Sequence, residues 1–325
     1  MLRPGRRPAA PPDEPLFDEA YRRRLERLAL RTRQTLAWRT AGEHRSPRRA
    51  PAREFADFRP YSQGEDLRYL DWNTYARLGE LVTRLGEVST DLTAHVVLDT
   101  SASMNWGDPN KLRYAKRLAA ALGYITLWHF DRLVVAPFAG APGEPFGPRR
   151  GRAAIVPLLT YLDRLPASGP TDLARALGGY LRRAYPKPGL GERRPGILLL
   201  ISDLLTTAGE DGVPALLPFV ERGWDVVVFH VLDAEEVEPS YAGDLRLEDV
   251  EGAGALRVVP DDETVRRYRA ACDAWLRGVE EYCRGHRIGY LRLLTAWPFE
   301  TLVLRYLQGA GALGHPSDRR AGGAG

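Results

Sequence analysis

The sequence predicts an α/β fold, a doubly wound, mostly parallel sheet with helices on both faces, preceded by a smaller N-terminal segment. Three observations carry this expectation. The runs 94–98, 132–138, 196–203 and 224–232 are apolar and rich in β-branched residues, the pattern of strands buried on both faces. Segments of helical period stand between them. Two of the runs end in an acid, Asp99 and Asp203, where the carboxyl edge of such a sheet opens.

In chain order, residues 1–20 are rich in Arg and Pro and poor in apolar side chains, which predicts a disordered tail. From Tyr21 to about Thr40, Leu25, Leu28, Leu36 and Trp38 make one apolar stripe among arginines, so a helix is expected within an N-terminal segment spanning 21–92. From Thr93 to about residue 308 the main domain reads as a strand at Ala94–Leu98, a helix at Lys111–Phe130 and a strand at Arg132–Phe138. Helices at Ala153–Leu165 and Asp172–Tyr185, a strand at Gly196–Asp203, a helix at Val213–Arg222 and a strand at Trp224–Leu232 follow. A short strand (Ala255–Val259), a long helix (Asp261–His286), a strand (Ile288–Leu294) and a helix (Phe299–Leu307) close it. Residues 309–325 form a Gly-rich, flexible tail.

Composition bounds the function. With 44% hydrophobic residues in 325, a sizeable core is expected. The longest apolar stretch, Leu118–Trp128, falls short of the roughly 20 residues that span a bilayer, and the Arg-rich start lacks the apolar segment of a secretory signal. Cys272 and Cys283 lie on one expected helix, too far apart along it to be bridged, so a reducing, cytoplasmic setting is expected. Net charge is only +4, with fourteen Arg against six acids in residues 1–53 and just three Lys in the chain (Lys111, Lys116, Lys187). Arg dominance of this kind reads as biased residue usage, and nucleic acid is not the expected partner.

Catalytic motifs are weak. Gly309 to Gly314 matches Gly-x-Gly-x-x-Gly but opens no βαβ unit. His44, His95, His129, His230, His286 and His315 show no metal-ligand spacing, and His95 and His230 fall inside apolar strands as core residues. Ser101 or Ser103 as a nucleophile would need a base that the sequence does not point to.

Asp99, Ser101 and Ser103 follow a buried strand at spacing i, i+2, i+4, which turns them to one point in an extended or gently curved loop. One carboxylate and two hydroxyls suit a hard octahedral cation, Mg²⁺ or Mn²⁺, rather than Zn²⁺. Thr171 at the head of a helix and Asp203 after the next buried strand are comparable pieces.

These five positions resemble the metal-ion-dependent adhesion site of von Willebrand factor A domains. The region before the first strand, with Glu54, Phe58, Arg59, Tyr61, Gly64, Asp66, Arg68, Asp71, Trp72 and Arg77, resembles the signature of the bacterial family called domain of unknown function 58. His230–Asp233 and Trp297–Glu300 are similar to its closing segments, so that the resemblance runs from about 21 to 308. It implies a von Willebrand factor A-like domain over 93–308 and a metal at Asp99, Ser101, Ser103, Thr171 and Asp203. A partner's Asp or Glu would complete that metal's coordination, and the partner that the resemblance implies is a MoxR-type AAA+ ATPase. A non-catalytic Mg²⁺-dependent interaction module is therefore expected. A Mg²⁺-dependent phosphoesterase and a structural module with a vestigial site are the alternatives. The aromatic and charged residues of 54–77 read either as a brace over a sheet edge, the favoured reading, or as a recognition surface.

Overall fold

The computed structural model describes residues 2–4, 16–27, 55–60, 72–86, 93–128, 131–184, 196–206, 212–239, 245–249 and 254–298. Two compact units are present, Leu36–Asp91 and the remainder, Met1–Thr35 with Leu92–Gly325.

Within the smaller unit, β2 (Phe55–Pro60) pairs antiparallel with β3 (Val82–Gly86), with a register shift between Phe55 and Asp57. Between them lies α2 (Trp72–Leu78). Its last turn closes where the Gly79 amide donates to the Tyr75 carbonyl at 2.9 Å, and Gly79 takes φ +69°, the left-handed conformation that ends helices at glycine. Residues 61–71, which carry Glu65, Asp66, Arg68 and Asp71, lie outside the described residues.

In the larger unit the strands are β1 (Leu2–Pro4), β4 (Thr93–Asp99), β5 (Arg132–Phe138), β6 (Phe146–Arg150), β7 (Ile197–Ser202), β8 (Asp225–Leu232), β9 (Leu245–Asp249), β10 (Ala255–Val258) and β11 (Gly289–Leu294). The helices are α1 (residues 19–27), α3 (Lys111–Trp128), α4 (Ile155–Arg164), α5 (Leu173–Ala184), α6 (Leu217–Val220), α7 (Ala234–Val237) and α8 (Asp262–Gly285). Six strands form one sheet in the order β11-β8-β7-β4-β5-β6. Every neighbouring pair is parallel except β5 with the edge strand β6. This is the mostly parallel α/β sheet that the strand runs predict.

Both faces are covered. Val97, Ala136, Leu198, Leu200, Val226 and Val228 pack with α5, α6 and α8 in one cluster. The other face receives α3, which meets β4, β5, β7 and β8 and is itself covered by α4. Fourteen of its 18 residues are buried, so small side chains at Ala119–Ala121 let it lie close to its neighbours. Gly123 marks the closest approach: a Cβ there would lie 2.6 Å from Leu158 and 2.9 Å from Leu133. Tyr21 and Leu25 bury the apolar stripe of α1, and the Tyr21 hydroxyl donates to the Arg117 carbonyl of α3 at 2.5 Å.

Several elements differ from the sequence reading. Residues 1–20 are expected as a disordered tail, yet Leu2–Pro4 pairs antiparallel with β9, Leu16 is buried and α1 begins at residue 19. Backbone hydrogen bonds, which composition does not report, hold that strand. Part of the expected 21–92 segment, residues 21–27, belongs with the sheet unit. The expected helix 213–222 is a 3₁₀ turn (Val213–Leu216) followed by the single turn α6, because Pro218 falls in the interior of that span and removes an amide donor, whereas Pro214 sits in the first turn, where proline is tolerated. β6 carries Pro148, Arg149 and Arg150 and shows no apolar alternation; it is tolerated as an edge strand. The expected helix Phe299–Leu307, residues 28–40 of the expected N-terminal helix and the tail 309–325 lie outside the described residues.

Candidate functional site at the carboxyl edge of the sheet

The chain leaves β4 toward α3 on one face, while β7 on its other side is reached through α5 on the opposite face. The carboxyl edge between β4 and β7 is thus the point where the winding direction reverses, and a crevice opens there in doubly wound sheets. Asp99 ends β4, and Asp203 follows β7 directly.

Three short segments are tied together at this edge. The Ser101 amide donates to Asp99 Oδ1 at 2.9 Å, closing a side-chain turn that a short acid at the end of a strand favours. Ala102–Met104 then winds into a 3₁₀ turn, and the Ser101 and Ser103 hydroxyls lie 2.9 Å apart. Convergence of the two serines is as the spacing predicts, but a tight turn produces it rather than an extended loop. The Ser168 amide donates to the Thr100 carbonyl and the Ala102 amide to the Gly169 carbonyl, both at 2.8 Å. These bonds lay the loop before α5 against the loop after β4 and bring in Thr171, which is fully buried. The Thr206 hydroxyl reaches the Thr171 carbonyl at 3.4 Å.

From β7, the Ser202 hydroxyl donates to Asp99 Oδ2 at 2.6 Å and accepts from the Leu204 amide at 2.9 Å. Leu204 adopts φ +55°, an uncommon conformation for a branched residue, as the chain turns sharply after Asp203. The Leu205 amide donates to Asp203 Oδ1 at 3.1 Å, and Lys111 Nζ donates to Asp203 Oδ2 at 2.6 Å. Lys111 opens α3, is fully buried, and makes a second ion pair with Glu236 Oε1 at 2.8 Å. Glu236 in turn accepts the Asp233 amide at 2.9 Å, completing the capping box of α7.

Burial and the neighbouring charge of Asp203 push the Asp99 carboxyl up to about 7, against the hydrogen bonds from Ser202 and Ser101. A carboxylate in this position is held at high electrostatic cost, and a nearby cation would relieve it. Burial pushes the His230 imidazole down to about 3. Its Nε2 lies 3.0 Å from the Asp203 carbonyl and its Nδ1 2.7 Å from the Tyr290 hydroxyl, the paired core histidine that its strand position predicts. His95 is likewise paired, with Nδ1 2.6 Å from the Tyr180 hydroxyl. Cys272 and Cys283 both lie on α8 as free thiols.

Asp99, Ser101, Ser103, Thr171 and Asp203 therefore gather at one edge, all buried. Among the described residues, no group of three or more His, Cys, Asp or Glu side chains is placed to hold a metal ion. The donor set is one of hydroxyls with two acids behind them, unlike a carboxylate cage. Hydroxyl oxygens 2.9 Å apart match two adjacent corners of an octahedron, whose edge is about 2.9 Å for ligands at about 2.0–2.1 Å. The residues present fit a small hard cation. Sequence reasoning missed Lys111, Ser202, Asp233 and Glu236. The one available signal was a lysine heading an apolar helix in a chain with only three lysines.

Among solved structures, the chain is similar to BatB from Bacteroides thetaiotaomicron, at 17% identity and TM-score 0.43, covering 68% of this chain and 98% of that one. It is also similar to an aerotolerance-related membrane protein from Bacteroides fragilis, at 15% identity and TM-score 0.35, covering 58% and 99%. Uncharacterized protein Rv1480 of Mycobacterium tuberculosis is 29% identical over 289 residues, 87% of each chain, and Uncharacterized protein Mb1516 of Mycobacterium bovis matches equally. The model of the family described as "Protein of unknown function DUF58" matches residues 57–274, about two thirds of the chain, and to that family the chain belongs.

Proposed function

We propose that this protein is a non-catalytic interaction module in which Asp99, Ser101, Ser103, Thr171 and Asp203 form a metal-ion-dependent adhesion site of the von Willebrand factor A type. Mg²⁺ or Mn²⁺ bound there supplies an electrophilic centre for a partner's Asp or Glu. The observation that carries this reading is the pair of Ser101 and Ser103 hydroxyls, 2.9 Å apart beside the buried Asp99 at the switch point of the sheet. The serines bear on each other, and the buried imidazole of this edge spends its two nitrogens on Tyr290 and Asp203, which supports binding over nucleophilic chemistry.

The partner in this reading is a MoxR-type AAA+ ATPase, as the family resemblance implies, and the complex assembles or activates other proteins. The setting is cytoplasmic, in keeping with the two free thiols. No helix among the described residues is long and apolar enough to cross a membrane.

The test is capture of a purified MoxR-type ATPase from the same genome, with excess Mg²⁺ and with EDTA. Binding lost in EDTA and in Asp99→Ala supports the reading. Equal capture by Asp99→Ala under excess Mg²⁺ sinks it.

A further inference from the structure

The ion pair between Lys111 and Asp203 has a consequence for the proposed site, on which this inference rests. Lys111 is fully buried, so its ammonium is unscreened by water, and it sits between two acids, 2.6 Å from Asp203 and 2.8 Å from Glu236. Its place is fixed from several directions. The Lys111 amide donates to the Trp106 carbonyl at 2.8 Å, and Glu236 is locked by the Asp233 amide and by α7. Asp203 therefore presents Oδ2 to an ammonium and Oδ1 to the Leu205 amide.

We infer that Lys111 is a positioning residue that withholds the Asp203 charge from the cation, so that the metal is held chiefly by hydroxyls and stays weakly bound and electropositive until an anionic ligand arrives. Two effects act in the same direction. The ammonium repels a divalent cation through a low-dielectric medium. It also fixes the carboxylate in a hydrogen bond that must be broken before Asp203 turns to the metal. A site built this way has little affinity for the metal alone and gains more from a carboxylate supplied in trans. Affinity for the ion and affinity for an acidic ligand are thereby coupled, each raising the other by the same factor.

The experiment measures free Mn²⁺ by electron paramagnetic resonance during titration of the full-length protein, using wild type, Lys111→Met, Lys111→Arg and the double variant Lys111→Met/Glu236→Gln. Removing the ammonium should tighten Mn²⁺ binding at least about tenfold, whereas Lys111→Arg, which keeps the charge, should not tighten it. The double variant removes one positive and one negative charge, so the net charge of the cluster is unchanged while Asp203 still loses its ammonium. It should still tighten Mn²⁺ binding through the released Asp203, though by less than Lys111→Met, which also leaves the Glu236 charge to attract the cation, and it remains informative if Lys111→Met fails to fold. Acetate added at high concentration should improve Mn²⁺ affinity in wild type more than in either Met variant.

Equal or weaker Mn²⁺ binding in the folded Met variants overturns the inference while leaving the metal reading intact. Absence of Mn²⁺ binding in wild type and in every variant overturns both. Binding that appears only when Lys111 is replaced upholds the inference and counts against a metal site in the wild-type protein alone.

Discussion

The Ser202 hydroxyl donates to Asp99 Oδ2 at 2.6 Å, so the last residue of β7 holds the last residue of β4. The same oxygen accepts the Leu204 amide, which makes Ser202 the joint between two strand ends and the turn carrying Asp203. Ser202→Ala should cost about 1–3 kcal/mol, because it leaves a buried carboxylate oxygen and a buried amide without this partner. Urea unfolding of the two proteins checks this. A change within about 0.5 kcal/mol, the scatter typical of neutral surface substitutions, would show that the joint contributes little.

Metal binding should be visible in thermal unfolding. At about a hundred times its dissociation constant, Mg²⁺ or Mn²⁺ adds about 2.7 kcal/mol to stability, which shifts the midpoint by several degrees in a chain of this size. The rise should be present in wild type and absent in Ser101→Ala/Ser103→Ala, whose lost hydroxyls are small and leave Asp99 in place. A similar rise in both proteins would move the cation to another site.

Gly107, in the loop before α3, lies close against Asp233 at the end of β8. It takes φ +89°, and a Cβ there would lie 2.5 Å from the Asp233 carboxylate. Gly107→Ala should cost at least about 1–2 kcal/mol from the backbone conformation alone, with a further cost from displacing Asp233. Asp233 caps α7 through the Glu235 amide and accepts from Thr295, so hydrogen exchange at 234–237 should quicken in the variant. Unchanged exchange and unchanged stability would show that the loop yields freely.

The depressed His230 imidazole fixes the sign of one pH dependence. Above its ordinary value of 6.5 the ring is neutral in both the folded and unfolded chain and contributes no slope. Between 6.5 and about 3 the unfolded chain takes up a proton that the folded protein refuses, so stability falls as the pH drops. The stability of wild type minus that of His230→Gln should be flat above pH 6.5 and should fall by about 2 kcal/mol on reaching pH 5. Asp99, whose raised carboxyl value gives the opposite slope, is common to both proteins and cancels in the difference. A flat difference down to pH 5 would show that protonated His230 is tolerated.

Much of the architecture is legible in the residues. The strand runs are long, apolar and β-branched because a parallel sheet is buried on both faces, and β5 falls at Arg132–Phe138, just as periodicity places it. Legibility fails where tertiary partners decide. β6 is polar and contains Pro148, and only its pairing with β5 makes it a strand. Leu2–Pro4 is ordered by β9, far away in sequence. The break of the expected helix 213–222, conversely, is legible in the sequence, because Pro218 falls where a continuous helix needs an amide donor.

The sequence by itself determined the α/β class, the position of the two central strand ends and the residue types Asp99, Ser101, Ser103, Thr171 and Asp203, because burial pattern and spacing are local properties of the chain. Tertiary structure alone decided that Ser202 joins Asp99, that Lys111 lies between Asp203 and Glu236, and that the loop before α5 is stapled to the loop after β4. Those contacts span 92 and 125 residues in the case of Lys111, and no local pattern encodes which of a chain's many charges will be buried against one another.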